Sequence, residues 1–210
     1  FVAHDLDSEW VYMLPWNDEQ GPDPDAATCA EAVYAALGTR EVPIEVLNLS
    51  QWTLTAQIAA RMRVGRILPA GDAAHRFPPT GGLGLNSGVG DVHNLAWKIA
   101  AVESGAAPDA LLDSYEAERR PVARFNADQS LRNAMRLMQI PEALGYPEGL
   151  DHDAMVARLA YPAARRAVDE AIANQAEHFD LLRIHLGYFY EDGSLVPDQT
   201  ATPTTPYPLR

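Results

Sequence analysis

Residues 65–100 read GRILPAGDAAHRFPPTGGLGLNSGVGDVHNLAWKIA. An apolar run ends at an acid, Asp72. The pair Pro78-Pro79 follows, and Gly81, Gly82 and Gly84 then fall within four residues. Glycines in such a stretch let backbone N–H groups face a ligand with no Cβ in the way. A helix starting near Asn86 leaves its first N–H groups unpaired, and its dipole adds roughly half a positive charge at that end. The site suits a phosphate, or negative charge developing on a heterocycle. Asp72 would repel a phosphate but can accept hydrogen bonds from sugar hydroxyls. One acid beside an amide-rich helix start therefore fits a ligand that carries both a polyol and anionic groups.

Other chemistries fail on spacing. A P-loop needs Gly-Lys-Ser/Thr, and no lysine lies between Gly65 and Trp97. A nucleophile elbow needs Gly-x-Ser-x-Gly, whereas Ser87 sits in Leu85-Asn86-Ser87-Gly88-Val89. The run from Gly82 to Gly88 has one residue too many for Gly-x-Gly-x-x-Gly, and it begins about ten residues after the apolar run rather than directly after a strand. No HExxH and no paired cysteines occur, so no metal site is expected. His75, although close to Asp72, is read as a packing and hydrogen-bonding residue of the turn. His93 is read as a helix surface or core residue.

The elements that must position this stretch form a mixed α/β pattern. Residues 9–16, EWVYMLPW, read as a strand. Apolar residues at helical spacing run from Asp25 to Leu37, and Gly38 stops them. Residues 42–55 are rich in β-formers, with Ile44, Val46, Leu47, Leu49 and Trp52 as expected core. Residues 65–71 read as a short strand in the middle of a parallel sheet. A helix is expected over 86–104, burying Val92, Leu95, Ala96, Ile99 and Val102, with Gly105 as its stop. A second helical region runs from Ala110 towards Met138, interrupted at Pro121, with Glu116 and Arg120 paired on its surface. A third covers 153–179, broken at Pro162, with Val156, Leu159, Ala163, Val168, Ile172, Ala176 and Phe179 facing the core. RIHLGYFY, EDGS and LVP suggest a hairpin about Asp192-Gly193. Regular βαβ alternation is missing, so a complete doubly wound domain is not expected.

Composition narrows the class. With 210 residues and 47% hydrophobic side chains, the chain can bury a sizeable core. Its formal charge of −13 disfavours nucleic acid, which requires a basic face. The single cysteine, Cys29, rules out a disulfide framework and fits a reducing cytoplasm. No apolar run approaches the ~20 residues that span a bilayer. FVAHDL at the start reads as already inside a fold. PDQTATPTTPYPLR at the end reads as a linker or tail. Both ends are expected to be cut from a longer polypeptide.

The stretch GDAAHRFPPTGGLGLNSGVGDVHNLAWKIA resembles the second flavin-binding motif of the class A flavoprotein aromatic hydroxylases. This family includes para-hydroxybenzoate hydroxylase, phenol and chlorophenol hydroxylases, and aromatic polyketide hydroxylases. The likeness extends through WTLTAQIAARMRVGRILPAGD upstream and LLDSYEAERRPVA downstream, covering about residues 52–124. The resemblance implies FAD as cofactor and NAD(P)H as co-substrate. By it, Gly71 and Asp72 meet the ribityl chain and nearby pyrophosphate. The loop of Gly82, Gly84, Leu85 and Asn86 presents backbone donors to the N1–C2=O edge of the isoalloxazine. Pro79 lies beside flavin and substrate, and Phe77, Pro78 and Pro79 form the near-flavin wall, with Tyr12 or Met13 as further candidates. No side chain is assigned a catalytic role, because the flavin carries the chemistry.

The implied reaction is hydroxylation of a phenolic or polycyclic aromatic substrate through a flavin C4a-hydroperoxide. Alternatives are a Baeyer–Villiger or epoxidising flavoprotein of the same fold, or a truncated, non-catalytic binding module. The family also carries an opening GxGxxG turn and an intervening Asp-Gly motif, and this chain has neither in a credible place. The resemblance therefore implies the C-terminal part of a two-domain FAD-dependent hydroxylase fold. Residues 1–60 would end the substrate-binding sheet domain, and 61–130 would form the second half of the FAD-binding domain. Residues 131–196 would be trailing helices and the hairpin, and 197–210 a Pro/Thr-rich linker. The expected partners are a small aromatic substrate, a preceding GxGxxG portion and a following thioredoxin-like domain, with neither nucleic acid nor membrane.

Overall fold

The computed structural model describes residues 1–16, 21–145 and 152–196, the side chains of Arg183 and Leu186 excepted. The expected linker at 197–210 lies outside them. The chain divides into two compact units, Phe1–Thr53 and Leu54–Arg210.

The first unit opens with a hairpin. Strand β1 (Val2–Asp5) pairs antiparallel with β2 (Glu9–Val11), with an irregularity between Ala3 and Asp5. The turn is set by Asp5, whose Oδ1 accepts from the N–H of Asp7 at 2.8 Å. The aromatic run thus forms a strand only over its first residues. Helix α1 (Ala26–Leu37) has Asp25 as N-cap, accepting from Thr28 N–H, and ends at Gly38 in the left-handed region at φ 68°. Residues 42–55 form no strand, and Leu47 and Trp52 are 69% and 62% exposed. β-branched side chains favour a strand only when neighbouring strands and a packed face receive them, and no described strand pairs with this segment.

In the second unit, β3 (Gln57–Ile58) pairs antiparallel with β4 (His75–Arg76). The expected strand at 65–71 is absent. Its residues form a turn closed by a Val64–Ile67 bridge and then an extended segment. The same reason applies, since no described strand flanks it. A single 3-10 turn, Gly71–Ala73, leads into β4.

Two long helices form the body of this unit. Helix α2 spans Leu83–Glu103 and α3 spans Asp113–Leu137. Pro121 lies inside α3 without ending it. Tyr115, Val122, Ala123 and Ala127 are buried on both sides of the proline, so packing outweighs one lost ladder bond. Met62, Ala74, Leu95, Leu112 and Tyr115 make the apolar core. Glu116 and Arg120 do not pair as expected. Glu116 Oε2 accepts from Met62 N–H at 2.7 Å, and Arg120 Nε donates to Ala59 O at 3.4 Å. Together they anchor the segment leading out of β3.

Helices α4 (Gln139–Leu144), α5 (His152–Arg158), α6 (Pro162–Ala173), α7 (Ala176–Phe179) and α8 (Leu182–Gly187) follow. Pro162 opens α6, as its fixed φ favours. Ala171, Gln175 and Gly187 are among the buried residues here, whereas Val156, Ile172 and Phe179 are exposed. Residues 182–187 are helical, so the expected hairpin about Asp192-Gly193 does not form. The bend instead docks its backbone on Glu118, as described below.

Candidate functional site

Helix α2 starts at Leu83, three residues before the expected point. Its N-cap is Gly82, at φ 64°, and no side chain caps the end. The N–H groups of Leu83, Gly84 and Leu85 have no acceptor within the helix. That of Gly82 donates to Pro79 O at 2.9 Å. The N–H of Asn86 is the first that the helical ladder can satisfy, through Gly82 O, and the Asn86 amide Nδ2 donates to that same oxygen at 3.0 Å. Asn86 thus ties the helix start together from one turn inside it.

Gly84 and Leu85 border an open groove of about 620 Å³, whereas Leu83 is buried and lines a second cavity. Gly71 and Asp72 form one wall, and Gly84, Leu85, Gly88 and Val89 form the other. The two walls meet at glycines. Gly71 sits at φ +57°, and a Cβ added to Gly88 would lie 3.3 Å from the Gly71 Cα. A side chain on Gly88 would press on the facing wall, and one on Gly71 would strain its left-handed backbone. Asp72 is exposed on the groove side, as is His93.

Four of the expected cofactor residues, Gly71, Asp72, Gly84 and Leu85, therefore share one groove. The others lie elsewhere. Asn86 lines the second cavity, of about 270 Å³, with Arg119 and Tyr188. Gly82 and Pro79 shape the turn before the helix. Pro78 is fully buried and lines neither cavity. Phe77 is half-buried, with its ring stacked on His75 at 5.4 Å between centroids. Tyr12 packs against the Phe1 ring within the first unit.

Behind the groove lies a buried ionic network that motif reading passes over. Asp91, on α2, is fully buried. Its Oδ2 accepts from Gly71 N–H at 3.1 Å and lies 2.6 Å from His75 Nε2. Its Oδ1 accepts from Arg119 Nε at 2.8 Å. Burial opposes the charged form of Asp91, but bonds from His75, Arg119 and Gly71 hold its carboxyl below the ordinary range. His75 is thus a hydrogen-bonding residue of the turn, as expected from its place. Arg119 also donates to Ser87 O at 3.2 Å, and a Cβ on Gly90 would come within 2.7 Å of its Nη2. Gly90 is the gap that admits the guanidinium.

One turn along, Glu118 Oε2 accepts from Lys98 Nζ at 2.7 Å and from Asn94 Nδ2 at 2.5 Å. Its Oε1 accepts from Ser194 N–H at 2.7 Å and Ser194 Oγ at 2.6 Å. Burial alone would raise this carboxyl, but these bonds bring it down to about 2. Tyr190 OH receives Arg119 Nη1 at 3.4 Å and Asn94 Nδ2 at 3.5 Å, so residues 190–194 strap α2 to α3. One signal could have exposed the network. Ser87, Asp91, Asn94 and Lys98 recur at helical spacing, as a polar stripe with the period of a buried face.

An uncapped helix start over a glycine-walled groove, with an acid opposite, defines a site for a ligand that bears an electron-rich edge and hydroxyls. The chain belongs to the FAD binding domain family, which matches residues 3–130. It is 33% identical over 202 residues to a 2,4-dichlorophenol 6-monooxygenase of Cupriavidus pinatubonensis, covering 92% of this chain and 34% of that protein. A putative polyketide hydroxylase of Streptomyces coelicolor is 44% identical over 129 residues, covering 60% of this chain and 21% of that protein. Among solved structures, the flavin-dependent monooxygenase PieE, determined with FAD and substrate, superposes with a TM-score of 0.79 at 34% identity. That match covers 88% of this chain and 34% of PieE. The chain spans about a third or less of the length of these relatives.

Proposed function

We propose that this chain works in an FAD-dependent monooxygenase that hydroxylates a phenolic or polycyclic aromatic ring, using NAD(P)H and O₂. The observation that carries this reading is the pair of free N–H groups at Gly84 and Leu85, in the first turn of α2, beside the Gly71–Asp72 wall. The residues fit a flavin. Amide donors at a helix start suit its electron-rich N–C=O edge. The exposed carboxylate of Asp72 suits ribityl hydroxyls. Leu85 and Val89 offer apolar contact to ring faces. The printed names of the relatives, which include hydroxylases of phenols and polyketides, support the choice of substrate class.

The cofactor, when bound, supplies the electron transfer and oxygen activation. This chain's residues do the rest. Gly84 and Leu85 would hold the flavin edge by their N–H groups, and the dipole of α2 would favour negative charge there. Gly71 and Asp72 would hold the polyol. The Gly71–Gly88 approach keeps the groove floor free of side chains. Pro79, exposed in the turn before Gly82, remains the proposed neighbour of the substrate ring.

Two measurements test the proposal. Titration of the purified chain with FAD, followed by flavin fluorescence, should give saturable binding that free adenosine diphosphate does not match. Incubation of the FAD-loaded protein with NAD(P)H and a panel of phenols under ¹⁸O₂ should yield products that gain one labelled ring hydroxyl. Labelled lactones or epoxides would move the reading to Baeyer–Villiger or epoxidation chemistry. Absence of any flavin binding would remove its foundation.

A further inference from the structure

We propose that Asp91 is a positioning residue of the groove. Its carboxylate, braced from behind by Arg119, fixes the Gly71–Ala73 turn and thereby sets where Asp72 stands. The cofactor half of this proposal rests on the groove being the flavin site.

Three observations carry it. First, one carboxylate oxygen ties both ends of the turn. Asp91 Oδ2 accepts from Gly71 N–H, where the turn begins, and from His75 Nε2, just past its end. Second, Gly71 occupies the left-handed region at φ +57°, with its Cα against Gly88. Its N–H points inward at Asp91 while the Asp72 side chain stands exposed on the groove wall. A turn of three residues has little internal bonding to hold that arrangement; Ala74 N–H to Gly71 O at 2.8 Å is its own closing bond. Third, Asp91 is itself held. Arg119 Nε donates to Oδ1 at 2.8 Å, and the guanidinium is locked by Ser87 O and by the space above Gly90. The order of support runs from α3 through α2 to the groove, and among the described residues Asp91 is the side chain of α2 that hydrogen-bonds the turn. It does not line the groove, so it acts through Gly71 and His75.

The chemistry of the position is specific. All three partners are donors, so a carboxylate, which only accepts, satisfies them together. An amide of the same shape must turn its NH₂ towards either Arg119 or the Gly71–His75 pair; the Arg119 bond is lost in the first case and the Gly71 bond in the second, whichever tautomer His75 takes. Asp91→Asn therefore keeps the volume and breaks the brace.

The test compares the purified chain with Asp91→Asn and with Asn94→Ala. The latter removes a buried hydrogen-bonding group from the same helix without touching the turn. Amide exchange is measured without ligand at Gly71, Ala74 and His75, and FAD affinity by titration, each referred to global stability from urea melts. The expected result is exchange at these amides at least about tenfold faster in Asp91→Asn than in Asn94→Ala of matched stability. FAD affinity should fall about tenfold or more in Asp91→Asn alone. Equal exchange in the two variants overturns the positioning claim. A loosened turn with unchanged FAD affinity overturns its link to the cofactor. If the unsubstituted chain takes up no FAD, the flavin reading fails, and with it that link, while exchange still decides whether Asp91 fixes the turn. Should Asp91→Asn not fold, His75→Leu, which removes one of the two ties, carries the same comparison with the same outcomes.

Discussion

Lys98 and Glu118 form an ion pair 2.7 Å long between the two main helices, with their side chains 0% and 2% exposed. Asn94, Ser194 and Lys98 together satisfy both carboxylate oxygens. A buried pair of this kind is costly to break, because the remaining charge has no water to return to. Replacing Glu118 by Gln is expected to lower unfolding stability by about 3 kcal/mol, within the range for an orphaned buried charge. Urea denaturation at pH 7 measures it.

The same pair gives the stability a defined pH dependence. The folded-state carboxyl of Glu118 sits at about 2, below its ordinary value of 4.5. Its contribution is therefore complete above pH 4.5 and disappears as pH falls towards 2. A gap of this width corresponds to about 3 kcal/mol. Asp91, also held below its ordinary range, acts in the same direction. Melts between pH 7 and pH 3 should show a steep loss in the natural chain and a shallower one in Glu118→Gln.

Gly193 should resist any side chain. Its φ is +119°, and a Cβ there would lie 2.4 Å from the Glu118 Cγ. Gly193→Ala is expected to detach the strap at a cost of about 2 kcal/mol. Ser194→Ala, which removes one hydroxyl bond, should cost about 1 kcal/mol. Faster proteolytic cleavage within residues 188–196 reports the detachment.

Gly84 separates stability from binding. An alanine Cβ at this position meets nothing within 4 Å, and the residue lies in the first turn of α2. Gly84→Ala should therefore raise stability by about 0.5–1 kcal/mol through helix propensity. The added methyl enters the groove beside the free N–H groups, so FAD affinity should fall. A thermal melt and an FAD titration on the same sample check both signs.

Asp72 is exposed, so Asp72→Ala should leave the melting temperature nearly unchanged. Losing a charge-assisted hydrogen bond to a ribityl hydroxyl costs about 1.5–3 kcal/mol, a fall in FAD affinity of roughly tenfold or more.

Local signals in the sequence read well where one residue decides the outcome. Gly38 ends α1, Pro162 begins α6, and Gly105 follows α2 at φ +74°, each through its own backbone geometry. Flexible residues between an apolar run and a helix signal close backbone approach near Gly71 and Gly84, whereas the roles of Gly71, Asp72, Gly84 and Leu85 rest on a resemblance; in the structure these four line one groove. The strands expected at 42–55 and 65–71 do not form, because a strand depends on partners that no local pattern supplies. The buried face of α2 was misread through an assumption about chemistry. Val92 and Ile99 are exposed, and Ser87, Asp91, Asn94 and Lys98 are buried in their place. Each finds its bonds on another segment, and that pairing is written across α2, α3 and the strap rather than within any one of them.

The central claim is that the free N–H groups opening α2, with the Gly71–Asp72 turn opposite, receive the flavin. Amide chemical shifts of the isotope-labelled chain during titration with FAD test this most directly. Saturable changes concentrated at Gly71, Asp72, Gly84 and Leu85 are expected. Changes confined to the cavity near Arg119 and Tyr188, or none at saturating FAD, would contradict that claim.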